Sequence, residues 1–291
     1  MADVFDRIEK GKPVNPEILT TQIDEAFFLI GAAILLIEIA EMAFKREFKA
    51  KTFGEMLVSA STQIPYILVE TFILTGAYGL YWIIAQAMPW SIPVTWWSLA
   101  LVVLLADITY YWEHRIAHEV RILWTQHAVH HSSRDMNIVT GVRFGPLEGV
   151  WSLVAHLPLA FVGFAPEAII FGVVTVLAYQ TWLHTELIGK LGMLEWVLNT
   201  PSHHRVHHGS DDKYLDKNYG GILIIWDRLW NTFQAEEETP RYGLTRDFDS
   251  RNPIAVWFSE WPQLFRDIRG ARTFGEAFGY VFRRPGWAPR K

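Results

Sequence analysis

Residues 107–133 read DITYYWEHRIAHEVRILWTQHAVHHSS. Within this stretch His114 and His118 stand four positions apart, and His127 is followed by His130 and His131 at the same kind of spacing. Positions three or four apart share a helix face, so each set presents its imidazoles together. Directly upstream, Val94 to Tyr111 is an apolar run of membrane-spanning length. The stretch therefore predicts a helix that leaves a bilayer already carrying metal-binding side chains.

A third set lies downstream, where His203 precedes His204, His207 and His208. All 11 histidines fall between His114 and His208, and none lies outside that window. One metal seldom takes more than about six ligands, so the eight imidazoles of the three sets argue for two metals. Imidazole ligation suits iron, copper, zinc or nickel alike, and the spacing does not choose among them. A single HxxxH pair is common by chance, whereas three such sets in series after an apolar run are not. His118-Glu119 does not complete a zinc-protease motif, because Ile122 stands where the second histidine is required. There is no GxSxG and no P-loop.

The rest of the chain supplies the membrane. Of 291 residues 51% are apolar, 14 are Trp, none is Cys, and the formal net charge is −5. Without cysteine there is no disulfide framework, thiolate zinc site, cysteine-ligated iron–sulfur cluster or cysteine nucleophile. The mild negative charge gives no reason to expect nucleic acid as a partner. Further apolar runs cover residues 26–44 and 64–88, and two shorter ones, 150–165 and 168–183, meet at Gly163 and Pro166 as a helical hairpin. A large soluble helical protein is the alternative, but it would have to bury three spanning-length runs in a small core. Lys45, Arg46, Lys49 and Lys51 follow the first run, and the connection between the second and third carries no Lys or Arg. By the positive-inside rule the basic loop is cytoplasmic, and parity returns the histidines to the same side. Trp82, Trp90, Trp96 and Trp97 gather at the opposite connection, as interfacial indoles do. The expected fold is all-α, a multi-span transmembrane bundle with a cytoplasmic helical cap over a dimetal site. Residues 1–25 form a polar N-terminal segment without a cleaved leader, 26–183 the spans with the first two histidine sets, and 184–291 the cap with the third. Near the end, Phe265, Phe274, Phe278 and Phe282 recur among Arg266, Arg269, Arg272, Arg283 and Arg284. That pattern suits a helix on an anionic membrane surface, or equally one packed on the cap.

Residues 107–133, HTELIGKLGMLEWVLNTPSHHRVHH (184–208) and DKNYGGILIIWDRLWNTF (216–233) together resemble the fatty acid hydroxylase superfamily of membrane di-iron oxygenases, in its sterol-desaturase-like and alkylglycerol monooxygenase branch. The likeness covers roughly residues 100–235, and FRRPGW (282–287) extends it weakly to the tail. The ordered histidine series is specific for the superfamily and much less so for substrate. The resemblance implies two iron ions held by His114, His118, His127, His130, His131, His204, His207 and His208. His184 would be a ninth ligand and His203 a tenth. His203 is the weaker assignment, since neighbours on a helix point about 100° apart. His156, mid-hairpin among apolar residues, reads as a hydrogen-bonded structural histidine, with a substrate-channel role as the alternative. Four polar residues are candidates for catalysis or for structure: Asp107, seven before His114, as an acceptor for a ligating imidazole N–H; Glu119 beside His118; and Asn218 and Asp227 in the KNYGG and WDR signatures. Glu38, Glu41 and Glu70 lie in apolar runs, where a charge is costly unless it faces the interior or pairs.

The chemistry that follows is O2-dependent monooxygenation, a hydroxylation or, by a second hydrogen loss, a desaturation of a lipid such as a sterol, fatty acyl chain or alkyl ether. Electrons would come from a separate donor, a cytochrome b5, a ferredoxin-type protein or a reduced pterin. The expected location is an inner-membrane or endoplasmic-reticulum protein with its site and C-terminus in the cytoplasm. A histidine-lined metal transporter or storage protein is the reading from another class. It predicts ionisable residues along several spans rather than histidines gathered at one face.

Overall fold

Asn15 opens the first helix by accepting hydrogen bonds from the backbone N–H of Glu17 and Ile18, with Pro16 set at the first helical position. Helix α1 (Pro16–Phe44) thus begins ten residues before the apolar run at Ala26, because the cap and not the hydropathy decides where it starts. A computed structural model describes residues 14–45 and 50–290. The first half of the polar N-terminal segment, Arg46 and Lys49 of the basic loop, and Lys291 lie outside the described residues.

Helix α2 (Ala50–Ala87) runs unbroken through Pro65 and also starts earlier than its apolar run, carrying Glu55, Ser59 and Thr62 inward at its first turns. A Thr95–Ser98 capping box starts α3 (Trp96–Glu119), a single helix that holds Asp107, His114 and His118. Val120, in extended conformation, turns the chain into α4 (Arg121–His131). Then come a 3-10 turn (Ile138–Val142), α5 (Glu148–Val162) and α6 (Pro166–Tyr179). Gly163, at φ 105°, closes α5 in the left-handed region, and Pro166 opens α6, so the hairpin forms where the sequence places it. Short elements complete the chain: a 3-10 turn (Gly192–Trp196), α7 (Pro201–His207), α8 (Ile225–Leu229), α9 (Pro253–Trp257), α10 (Trp261–Gly270) and α11 (Phe274–Phe282).

Among the described residues the architecture is all-α, with only isolated β-bridges such as Leu198–Leu223. Helix α3 is central. Its Leu99 and Val102 pack with Ala77 and Tyr81 of α2, Leu159 and Ala160 of α5 and Phe171 of α6. Two helices, α1 and α2, are long and apolar enough to cross a membrane. Both expose large apolar side chains along most of their length, including Phe28 and Leu36 on α1 and Ile64 and Phe72 on α2. At the C-terminal end Leu264 is buried while Phe265, Phe274, Phe278 and Phe282 are exposed. The α11 end is held to α4 by Arg121 N–H donating to the Arg283 carbonyl at 3.0 Å.

Candidate metal centre

Helices α3, α4 and α7 and the segment after α6 bring nine histidines together as two adjoining sets. His114, His118, His127, His131 and His207 form one, and His130, His184, His204 and His208 the other. Within each set the candidate ligand nitrogens all lie within 4.8 Å of one another. Helix α3 gives both its histidines to the first set, whereas α4 and α7 are divided: α4 sends His127 and His131 to the first set and His130 to the second, because a step of three and a step of four fall on either side of one face. Stacking of His131 on His208, with ring centroids 4.4 Å apart, marks the boundary.

Outward-facing nitrogens are anchored to the protein. His114 Nδ1 lies 2.9 Å from the Tyr219 carbonyl, His207 Nδ1 2.9 Å from that of Lys217, and His130 Nδ1 3.2 Å from that of Arg143. His127 Nδ1 meets Glu148 Oε1 at 2.6 Å, and His118 Nδ1 approaches Asp216 Oδ1 at 3.6 Å. A carbonyl or carboxylate partner calls for Nδ1–H, which leaves the lone pair on Nε2. The Nε2 atoms then face each other: 3.0 Å between His114 and His127, 3.2 Å between His127 and His131, and 2.7 Å between His184 and His204. Nε2 of His118 and His207 is buried without a hydrogen-bond partner.

Burial disfavours the charged form of His130, His131, His184, His204, His207 and His208. It pushes His184 and His207 down to about 3, and lowers His130, His131, His204 and His208 far below the usual range, with the neighbouring imidazoles adding repulsion. Converging neutral lone pairs in a buried space repel unless a cation lies between them. The donor set therefore fits two transition-metal ions, one with five imidazoles and one with four.

The remaining sequence candidates fall elsewhere. His203 joins neither set: its ring packs on Phe233 and Nδ1 faces Thr200 Oγ1 at 3.4 Å, a consequence of the 100° step from His204. Asp107 does not reach an imidazole. Seven residues place it about 10 Å up α3 from His114, and it accepts from Ile222 N at 2.6 Å, Leu223 N at 3.1 Å and Trp226 Nε1 at 2.8 Å. Glu119, the last residue of α3, turns outward to Arg115 and Arg284 at 3.1 and 2.8 Å. Asn218 and Asp227 shape the loop that carries two of the anchoring carbonyls. Asp227 accepts from Tyr219 N, Gly220 N and Thr232 Oγ1, while Asn218, left-handed at φ 56°, donates to the His203 and Gln234 carbonyls. His156 bonds the Ser152 carbonyl at 2.9 Å and stays apart from both sets. Glu38 accepts from Ile138 N and Thr185 Oγ1, bracing the residue after His184, and Glu41 pairs with Lys45.

Sequence reasoning missed Glu148, Asp216 and the carbonyls of Lys217, Tyr219 and Arg143. For the loop a signal existed, since Asp216 and Asn218 both adopt positive φ, a conformation Asp and Asn tolerate. Glu148 offered none. Gly141 is a further constraint, because a Cβ there would lie 2.8 Å from His184 Nδ1. A narrow cleft between α3, α4 and α5 opens onto His114 and His127, walled by Tyr110, Ala117, Leu123, Leu147 and Trp151 together with Glu113, Gln126 and Glu148. A larger polar cavity of about 480 Å³, lined by Glu38, Arg134, Asn137 and Tyr242 among others, has no histidine in its wall.

Residues 99–232 match the family model for fatty acid hydroxylase. Alkylglycerol monooxygenase from Homo sapiens is 44% identical over 204 residues, which is 70% of this chain and 45% of that protein. The Danio rerio alkylglycerol monooxygenase is 36% identical over 270 residues, 91% of this chain and 59% of that protein. An ornithine lipid hydroxylase from Rhizobium tropici is 33% identical over 143 residues, 47% of this chain and 43% of that protein. The chain thus spans about half the length of the curated relatives it matches. No solved structure matches it.

Proposed function

The chain belongs to the fatty acid hydroxylase family, and from that premise we propose that it is a membrane-bound di-iron monooxygenase acting on a lipid. The observation that carries this reading is the pair of adjoining imidazole sets whose Nε2 atoms converge, with carbonyls or a carboxylate holding Nδ1 of His114, His127, His130 and His207. His114, His118, His127, His131 and His207 would hold one iron, and His130, His184, His204 and His208 the other. When bound, such a pair supplies O2 activation and oxidation of an unactivated C–H bond.

The protein's own part is positioning and exclusion. Glu148 and the carbonyls of Lys217, Tyr219 and Arg143 fix ring orientation, and Asp227 and Asn218 hold the loop that presents two of those carbonyls. The apolar side chains of the α3–α4–α5 cleft, Ala117, Leu123, Leu147 and Trp151, suit contact with a hydrocarbon chain, and Glu113, Gln126 and Glu148 add polar groups beside His114 and His127. An ether lipid is the favoured substrate class, on the strength of the relatives named alkylglycerol monooxygenase, and hydroxylation is favoured over desaturation on the same ground. Electrons reach the metals from a donor outside these residues, a cytochrome b5, a ferredoxin-type protein or a reduced pterin.

In the same reading α1, α2 and the first part of α3 cross the membrane, the α5–α6 hairpin enters it, and the metal end faces the cytoplasm. Protein loaded anaerobically with ferrous iron is expected to hold about two metals per chain. His130→Ala and His207→Ala, one from each set, are each expected to abolish O2-dependent turnover of an alkylglycerol while the protein stays in the membrane. Retained turnover in both variants would overturn the dimetal assignment.

A further inference from the structure

Asp107 lies about 16 Å along α3 from Trp96, roughly half of a hydrocarbon core of about 30 Å. Its carboxylate nevertheless receives two backbone N–H groups and an indole N–H from residues 222–226, so non-helical chain sits at that depth. Trp230 of the same segment lies 4.9 Å, centroid to centroid, from both Tyr111 and Trp112. Beside it the 189–197 stretch, GKLGMLEWV, which follows the segment bearing His184, turns apolar side chains outward: Met193 is 87% exposed, Trp196 69%, and neighbouring Leu229 64%.

Backbone at bilayer depth must satisfy its polar groups within the protein. Here it does. Asn199 N donates to the Ile222 carbonyl at 2.7 Å and Ile224 N to that of Val197 at 3.0 Å, and Leu198 N closes on Leu194 at 2.8 Å. Asn199 Nδ2 takes the Gly220 carbonyl at 2.6 Å. Glu195 is turned back onto the protein, while Arg228 stays exposed beside it. Glu195 accepts from Leu191 N, Thr200 Oγ1 and Ser202 Oγ at 2.9, 3.1 and 2.6 Å. Arg228 lays its guanidinium over Phe233 at 3.7 Å and Trp196 at 5.5 Å and donates to the Glu195 carbonyl. What faces outward is hydrocarbon and indole together with exposed Arg228 and, at the edge, exposed Lys190, long cations whose heads can reach headgroups.

We infer that residues 189–197 and 225–230 form an apolar shelf set into the metal-side leaflet, with lipid as its occupant; this rests on the reading that α3 spans the membrane. The shelf leads directly into α7, so it holds the third histidine set at the depth of the bilayer. A lipid could then reach the metals without leaving the leaflet.

The cysteine-free chain makes the test direct. Single variants Met193→Cys, Leu229→Cys, Phe72→Cys on α2 and Asp212→Cys on the exposed loop after α7 would be labelled with an environment-sensitive fluorophore in full-length protein in nanodiscs. Lipids spin-labelled on the acyl chain should quench residues 193, 229 and 72 by roughly twofold or more relative to 212, which should respond only to aqueous iodide. Lipid quenching at 72 with iodide quenching at 193 and 229 would overturn the shelf and leave the spanning helices intact. Iodide quenching at all four positions would overturn both. Shielding at 193 and 229 from iodide and lipid alike, relieved by dilution with empty nanodiscs, would assign the surface to a second copy of the chain and overturn the shelf. None of these readouts depends on turnover, so an inactive preparation still decides the matter.

Discussion

Glu148 touches His127 Nδ1 at 2.6 Å, and its second oxygen accepts from Gly145 N at 3.2 Å. One carboxylate thus sets both the tautomer of His127 and the turn that delivers α5. A partner of this kind typically changes metal affinity or activity by about 10–100-fold when removed. Glu148→Gln keeps the size but weakens acceptance, and Glu148→Ala removes it. Metal affinity by competition with a chromogenic chelator is expected to fall in the order wild type, Gln, Ala, with the second-set variant Gly141→Ala serving as comparison. Equal affinity across the series would show that His127 needs no orientation by Glu148. The histidines were legible because helical spacing converts sequence distance into shared direction. Glu148 was not, because 21 residues, a 3-10 turn and a change of helix separate it from its partner, and no periodicity crosses such a break.

The elements show the same division between local and long-range information. Helix α3 and the α5–α6 hairpin follow from apolar runs and from Gly163 and Pro166, which act where they stand. The early turns of α2 do not, because Glu55, Ser59 and Thr62 are polar residues that become interior only through partners elsewhere. Arg143 supplies the partner: fully buried, it donates to Glu55 Oε2 at 2.9 Å, to the Val129 carbonyl at 3.1 Å and to Ser132 Oγ at 3.0 Å. It therefore ties α2 to the C-terminal end of α4, where three of the histidines sit, while its own carbonyl holds His130. Removing one member of a buried ion pair strands the other, at a cost of about 3–5 kcal/mol. Arg143→Met is expected to lower the unfolding midpoint in detergent sharply, and Arg143→Met with Glu55→Met to recover much of the loss. A double variant no more stable than the single one would show that the hydrogen bonds to α4, rather than the ion pair, carry the stabilisation.

On the scale of the whole molecule, one end of the helices collects nearly all the chemistry. Nine histidines, Arg143, Arg205 and the 216–232 loop lie there, while the α2–α3 connection at the other end is uncharged and flanked by Trp82, Trp90 and Trp97. This polarity was legible in the composition along the chain. That residues 222–226 return to the flank of α3 was not, since the signal is a single aspartate in an apolar run whose partners lie more than a hundred residues away. Charge asymmetry then supports the proposed orientation: Lys45, Lys51 and Arg134 accompany the metal end, and the positive-inside rule puts basic residues on the cytoplasmic side. Single cysteines decide it, because the chain has none of its own. Ser91→Cys lies in the exposed α2–α3 connection and Asp212→Cys beyond the third histidine set. In intact cells a membrane-impermeant maleimide is expected to label position 91, and to label 212 only after permeabilisation. The reverse pattern would invert the topology and place the metals outside. Labelling of both positions in intact cells would mean that an even number of crossings separates them and would overturn the proposed arrangement of three spans and a shallow hairpin.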